Sequence, residues 1–326
     1  MDVSVIVSTY NSPSSLEKTL VGLSCQTRRD FEVLVADDGS GIPTRELVAR
    51  FRAESQLNIR HVWHEDRGFR KGRILNETIV RAAGDYLIFT DGDIIPRDDF
   101  VAAHCRLARP NYYIAGGSHL DLPPELHAGL GPEDIEAQRV FQVAWLAARG
   151  LPAGRFRYRL TRNRLLARLL DWLTPRPGVL VGANASAWKH DVLAVNGFDE
   201  SYSYGSDDKD LGVRMTNHGV RSQRLKYSLV CVHLGHPRAY ASAEQVQANR
   251  RKLQQVRARR ITWTEHGICN ERHATEGSRG SESRRGIGVL GGECGAPPEA
   301  KIGGWPLVPR GLTPVTPTPF SALAND

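Results

Sequence analysis

The run Asp85-Tyr-Leu-Ile-Phe-Thr-Asp91-Gly-Asp93 is apolar and strand-like until it ends in two carboxylates separated by one glycine. Carboxylates at the mouth of a buried strand lose hydration, and a divalent cation or a set of donors must replace it. Side chains two apart on an extended segment point the same way. The spacing therefore predicts that Asp91 and Asp93 face one ion, with Gly92 leaving room for a phosphate to approach. The same residues could instead be a polar turn that closes a strand. A nucleotide diphosphate held by Mg²⁺ or Mn²⁺ would take oxygen ligands from these carboxylates and from its own phosphates. No Gly-x-x-x-x-Gly-Lys-Ser/Thr is present and no Gly-x-Gly-x-x-Gly follows the first strand, so metal and side chains must hold the phosphate.

The elements that would position these groups are legible in the first hundred residues. Apolar runs at 3–7, 31–36, 59–63 and 86–90 read as strands. Helical patterns at 14–26, 44–55 and 71–83 separate them, with Ser14 or Ser15 as the first N-cap. Strict alternation of strand and helix predicts an α/β fold with a mostly parallel, doubly wound sheet. Ligands in such sheets sit at the carboxyl ends of the strands. Four polar clusters fall there: Ser8-Thr-Tyr-Asn11, Asp37-Asp-Gly-Ser40, His64-Glu-Asp-Arg67 and Asp91-Gly-Asp93.

Residues from about 123 to 177 read as a helical insertion, with one helical stretch near Asp134–Arg149 and an arginine- and leucine-rich pattern from Arg155 to Trp172. The basic 149–172 segment could lie on an anionic membrane surface, or it could be a solvated helix that packs its leucines on the domain. A second polar constellation follows in Gly182-Ala-Asn184, Gly197-Phe-Asp-Glu200, Gly205-Ser-Asp-Asp-Lys-Asp210 and His233-Leu-Gly-His236. Beyond 268 the composition turns to Gly, Pro, Ser, Arg and Thr without periodicity. This predicts one domain over 1–268, with halves at 1–100 and 101–268, and a disordered tail over 269–326.

The 326 residues are 40% apolar, enough for a sizeable core, and carry a formal charge of +7. That charge is uneven, with arginines clustered at 149–168 and 250–260 outside any nucleic-acid module, which argues against nucleic acid as a partner. No run of about 18 apolar residues appears, and the chain starts directly in a strand pattern rather than a leader. The expected location is cytoplasmic, either soluble or peripheral on the inner face of the plasma membrane. Cys25, Cys105, Cys231, Cys269 and Cys294 show neither metal-ligand spacing nor a disulfide framework. They read as free thiols, the three in the folded part as buried ones.

Taken together, Val3-Ser-Val-Ile-Val-Ser-Thr-Tyr-Asn11, Val35-Ala-Asp-Asp-Gly-Ser40, Asn76 with Ile79, Ala82 and Gly84-Asp-Tyr86, and Asp91-Gly-Asp93 resemble the nucleotide-binding half of glycosyltransferase family 2, of the GT-A fold. Gly182-Ala-Asn184, Asn196-Gly-Phe-Asp-Glu200 and Asp207-Asp-Lys-Asp-Leu211 with Arg214 are similar to the acceptor-side motif of that family. This second motif is shared with the carboxyl-terminal domain of galactosyltransferase-like enzymes. The resemblance covers about 1–267, and Gly68-Phe-Arg-Lys71 looks like a bacterial subgroup, some members of which build surface polysaccharides.

The resemblance implies a metal-dependent inverting transfer of a sugar, with a UDP-linked donor as the expectation, to a hydroxyl of a glycan or lipid-linked acceptor. Ser8, Tyr10 and Asn11 would line the nucleotide site and Asp38 would accept from the uracil or other base edge. Asp91 and Asp93 would hold Mn²⁺ or Mg²⁺, with His233 as a third ligand or diphosphate donor and His236 as its rival. Asp208 would be the base that takes the acceptor proton, and Asp207 stands where the family usually has glutamate; the two could alternatively be first-turn charges of a helix. Asn184 and Asp207 fall on the acceptor side. Leu75 replaces an arginine that family members commonly carry before the residue matching Asn76, and Arg70, Lys71 or Arg73 would supply that cation. Two rival readings are a sugar nucleotidyltransferase, which would want a glycine-rich basic loop after the first strand, and a non-catalytic glycan-binding protein retaining the fold.

Overall fold

The computed structural model describes residues 1–116, 120–151, 156–175, 177–236 and 242–269. The expected tail, apart from Cys269, lies outside the described residues, as does Cys294.

Seven strands form the main sheet in the order β3-β2-β1-β4-β8-β6-β9: β1 Val3–Thr9, β2 Glu32–Asp37, β3 Asn58–Trp63, β4 Tyr86–Asp91, β6 Tyr112–Ala115, β8 Ala185–Trp188 and β9 Arg221–Arg224. Strand β8 runs antiparallel to both of its neighbours, and all the other pairs in this sheet are parallel. A second sheet has the order β5-β10-β7, from Ile94–Pro96, Cys231–Leu234 and Leu120–Leu122.

The apolar runs of β1 and β2 are buried along their whole length and alternate between two helical layers. Ile6, Leu34 and Phe89 pack with Ile74 and Ile79 of α3 (Lys71–Arg81) and with Leu211 and Met215 of the Asp207–Asn217 helix. Val5, Val7 and Val33 face the other way, onto Leu16 and Leu20 of α1 (Pro13–Ser24), Leu47 of α2 (Ile42–Glu54) and Phe100 of α4 (Phe100–Leu107). Leu75 is 4% exposed within the first of these layers. It serves the core there.

Several boundaries differ from expectation for local reasons. Helix α1 begins at Pro13 with Ser12 in the cap position, because proline's fixed φ and missing N–H suit the first helical residue. The stretch near Asp134–Arg149 is broken into Pro132–Glu136, a 3₁₀ turn at Arg139–Phe141 and Val143–Ala147, with Gln138 between them at φ 55°. Within the arginine-leucine pattern a helix runs over Arg164–Leu173, started by Asn163, whose Oδ1 accepts from the Leu165 and Leu166 amides at 3.0 and 3.1 Å. Of the described cysteines, all four are free and Cys231 alone is buried; Cys25, Cys105 and Cys269 are half-buried.

Candidate active site

Strand register brings the first site pair together. Ser8 lies opposite Asp91 across the β1–β4 ladder, and its hydroxyl donates to Asp91 Oδ1 at 2.5 Å. The same oxygen accepts from Lys71 Nζ at 2.8 Å, because α3 starts at the carboxyl end of the sheet and Lys71 is its first residue. Burial presses the Lys71 pKa down, but Asp91, Asp207 and Asp208 together outweigh it and hold the ammonium above the ordinary lysine value.

Asp207 and Asp208 open the Asp207–Asn217 helix, aimed by two consecutive left-handed residues, Gly205 at φ 92° and Ser206 at φ 78°. Asp208 accepts from the Gly182 amide at 3.1 Å and from the Lys209 amide at 2.7 Å. Burial raises its pKa. Burial first, and the neighbouring Asp208 charge next, push Asp207 up to about 6. Asp210 differs in kind: fully buried, it takes Arg214 Nε at 2.7 Å and the Tyr202 hydroxyl at 3.1 Å, and Arg214 in turn holds the Val195 and Gly197 carbonyls.

The two carboxylates of Asp91-Gly-Asp93 part company. The chain turns at Gly92 and Asp93, so these three residues are not one extended segment and the expected alternation does not apply. A Cβ at Gly92 would come within 3.1 Å of the Ser8 carbonyl and the Thr9 hydroxyl, so the glycine seats the turn under β1. Asp93 turns toward β10 instead. Its Oδ2 lies 3.0 Å from His236 Nε2 and 3.5 Å from His233 Nε2. Asp93, His233 and His236 can each point one ligand atom at a common centre, and Asp91 is outside that group.

This trio fits a divalent cation on two observations. Asp93 Oδ1 is buried with no hydrogen-bond partner, a state that costs about 1–3 kcal/mol unless something fills it. His233 Nδ1 lies 2.8 Å from Asp121 Oδ1, which orients the ring and leaves Nε2 facing Asp93, the usual arrangement behind a ligating imidazole. Burial depresses the His233 pKa, but hydrogen bonds and charge from Asp93 and Asp121 raise it net above the ordinary value. Those same histidines and Lys71 lower Asp93 against the upward push of burial. Asp121 was not among the sequence candidates; its only signal is its place beside His233 in the β7–β10 ladder.

The remaining candidates divide. Tyr10 is half exposed and donates to Asp66 Oδ2 at 2.8 Å, a hydrogen bond that raises its pKa. Asn11, left-handed at φ 45°, accepts from the Gly41 amide at 3.0 Å. Asp38 receives His64 Nε2 at 2.7 Å and the Arg70 amide at 3.0 Å, which ties the ends of β2 and β3 to the start of α3. Gly39 at φ 98° makes this closure: a Cβ there would sit 2.6 Å from Asp66 Cα. The Arg70 guanidinium donates to the Glu65 carbonyl, and Arg73 to Glu77 at 3.3 Å. Asn76 is 1% exposed and clasps the 197–200 loop, donating to the Phe198 carbonyl at 2.8 Å and accepting the Phe198 amide at 2.7 Å. Asn184 is likewise interior, with Oδ1 3.1 Å from His104 Nε2. Burial pushes His104 down to about 3, so it is neutral. Ser8, Lys71, Asp91, Asp207 and Asp208 thus form one charged centre, with the Asp93 trio beside it; Asn76 and Asn184 brace the fold behind.

A mostly parallel sheet crossed by one antiparallel strand, with carboxylates and cations at its carboxyl edge, is the GT-A fold. Two solved structures share it: mannosyltransferase PcManGT from Pyrobaculum calidifontis in complex with GDP-Man and Mn²⁺ (TM-score 0.50, 23% identity, 73% of this chain and 58% of that one), and S. aureus TarS in complex with UDP-GlcNAc (TM-score 0.52, 19% identity, 80% and 69%). Residues 4–121 match the family model "Glycosyl transferase family 2" and residues 176–237 match "N-terminal domain of galactosyltransferase". Over these residues the chain is a glycosyltransferase family 2 domain continued by a galactosyltransferase-like segment. It is 30% identical over 230 residues to validoxylamine A glucosyltransferase of Streptomyces hygroscopicus, covering 67% of this chain and 52% of that relative. The chain spans about half the length of such curated relatives. Among the described residues no helix is long and apolar enough to cross a membrane.

Proposed function

We propose that this chain is a metal-dependent inverting glycosyltransferase that moves a sugar from a UDP-linked donor to a hydroxyl of a glycan or lipid-linked acceptor in cell-surface polysaccharide synthesis. The observation that carries the reading is the cluster of Lys71, Asp91, Asp207 and Asp208 beside the Asp93–His233–His236 trio. Relatives support the donor class: one is named a glucosyltransferase, and TarS is solved with UDP-GlcNAc.

In this reading Asp93, His233 and His236 hold the cation, and two imidazole nitrogens favour Mn²⁺ over the harder Mg²⁺. When bound, the cation supplies positive charge to the leaving diphosphate. Ser8, Tyr10, Asn11 and Asp38 flank the nucleoside, and Lys71, with Arg70 and Arg73 behind it, faces the phosphates from the start of α3. Asp91 holds Lys71 in place. The acceptor oxygen bonds to the anomeric carbon as the bond to the diphosphate oxygen breaks, and the electron pair leaves with the diphosphate. Attack comes from the face opposite the leaving diphosphate, so an α-linked donor gives a β-linkage, and Asp208 takes the acceptor proton. Asp207 shares the acceptor side, and Asn184 supports it from the interior. The site of action is the cytoplasmic face of the membrane, where a lipid-linked acceptor lies.

A single catalytic unit over 1–268 belongs to the same proposal. Because the Cys269 amide donates to Asn196 Oδ1 at 2.7 Å, the truncation that tests it ends after Cys269. Retained cooperative unfolding is expected, and its loss would refute the division. The activity is tested with a panel of nucleotide sugars and Mn²⁺, scoring release of nucleoside diphosphate beside an Asp93→Ala control. Release from one donor, abolished by EDTA and by the substitution, is the expected result. Absence of any metal-dependent nucleotide binding would leave the non-catalytic reading in its place.

A further inference from the structure

The Arg164–Leu173 helix is apolar on more than one side. Its inward side is Ala167 and Asp171 flanked by half-buried Leu166 and Leu170, and Asp171 is held there by accepting the Tyr227 and Ser228 amides at 2.9 and 3.1 Å. Its outward side is apolar: Leu165, Leu169 and Trp172 are 79%, 49% and 74% exposed, at spacings that put them on one stripe, with Leu173 at its edge. Core-seeking helices turn such a stripe inward, so an outward one marks an interaction surface.

A cleft lies against the flank of the same helix, lined by Arg97, Arg106, Arg162, Arg164 and Arg168. Arg97 is paired with Asp99 and Arg162 with Asp98. Among the described residues no carboxylate lies within ion-pair distance of Arg106, Arg164 or Arg168. Burial first, and then the nearby Arg164, Arg168 and Arg97 charges, lower the Arg106 pKa against the opposing pull of Asp99, which also lines the cleft and is itself paired with Arg97. The Ser228 hydroxyl, on a residue 6% exposed that lines the cleft, has Asp171 beside it but makes no hydrogen bond of good geometry. A phosphate would neutralise the arginine cluster and could accept from that hydroxyl.

We infer that this face docks the protein on an anionic lipid bilayer, the 164–173 helix lying in the headgroup layer with its leucines and Trp172 inserted and a lipid phosphate in the arginine cleft. An exposed Trp–Leu stripe flanked by arginine has the composition of an interfacial helix, and a protein partner would have no need of the uncompensated charge beside it. Of the carboxylates nearby, Asp98 and Asp99 are each occupied by an arginine and Asp171 by the Tyr227 and Ser228 amides, and the five arginines of the cleft leave the net charge positive.

The test is co-sedimentation of the full chain with phosphatidylcholine vesicles, with and without phosphatidylglycerol. Binding is expected only to the anionic vesicles and is expected to weaken with salt. Leu165→Ser with Trp172→Ser, and separately Arg164→Glu with Arg168→Glu, should each lower that binding about 30-fold or more while the melting temperature holds, since all four side chains face solvent or the cleft. Failure of the natural chain to sediment, or equal sedimentation of both variants, overturns the inference. Loss of binding in inorganic phosphate with no effect of the leucine and tryptophan changes would reduce the cleft to a free-phosphate site and also overturn it. A dimer that dissociates in the Leu165→Ser, Trp172→Ser variant, without vesicle binding, would assign the face to a second copy. Sedimentation needs no turnover, so its outcome is separate from that of the transferase reading.

Discussion

Lys71 Nζ lies 2.8 Å from Asp91 Oδ1, and the same ammonium is the positive charge that offsets Asp207 and Asp208 across the site. One lysine therefore joins the first half of the chain to the second. Both partners of the pair keep about a quarter of their surface exposed. The pair is thus accessible to solvent, and in the proposed reading a diphosphate would take over the ammonium that Asp91 keeps in place.

Lys71→Met should be destabilising in a pH-dependent way. Asp207 is already held above its unfolded value, so it favours the folded state while protonated and loses that advantage as pH rises through about 6. Without Lys71 the loss deepens. The variant should already melt below the natural protein near pH 5, because Asp91 loses its partner, and should fall further behind by about 2 kcal/mol on going to pH 8. A constant difference across that range would remove Lys71 from this charge balance.

Asp208→Asn should lower kcat by about 10²–10⁴ while leaving the donor KM nearly unchanged, because a base acts only as the acceptor loses its proton. In the natural protein the acid limb of the rate profile should lie above the ordinary carboxylate range, set by the coupled Asp207 and Asp208. Asp207→Asn removes the neighbouring negative charge, so the limb should move to lower pH. A limb that stays put would separate Asp207 from the base.

Asp93→Ala, His233→Ala and His236→Ala should each weaken Mn²⁺ binding by about 100-fold or more, and Asp121→Asn by about 10–100-fold, read by titration calorimetry. The imidazoles bind as neutral groups, and His233 holds its proton to a higher pH than usual. Affinity should therefore drop as pH falls through neutrality. Unaltered affinity in the His236 variant would leave His233 as the only histidine ligand.

Asn76→Ala should cost about 2–4 kcal/mol in stability, since it strands a buried amide and a buried carbonyl of Phe198. The donor KM should stay within about twofold at a temperature where both proteins are folded. A selective rise in donor KM without destabilisation would return Asn76 to the nucleotide site.

The β-α alternation of the first hundred residues was readable because β1, β2 and β4 are buried on both faces, the edge strand β3 mixes buried and exposed positions, and each helix has one apolar side, so period and burial agree. Ser8 against Asp91 follows from the same regularity, once β1 and β4 are neighbours. Asp93 shows where periodicity stops helping. A turn redirects it into a sheet built with Asp121 and His233, and nothing local in the sequence marks that partnership. Leu75 looked like a missing cation when judged by position alone; its burial shows a residue chosen by packing. The leucines of the 164–173 helix left two readings open, because amphipathic spacing tells that a stripe exists but not whether the core lies beneath it.

The small sheet also carries a schedule. Its strands come from residues 94–96, 120–122 and 231–234, and the middle strand is the last to be made. As the chain leaves the ribosome, β1 to β4 can pair and close the nucleotide side while the partners of Asp93 have yet to be synthesised. In the proposed reading the cation would be captured only once His233 and His236 have emerged, so its binding would report that these residues have been made. A prematurely ended chain would then offer a nucleotide a place to sit, with no metal to make it react.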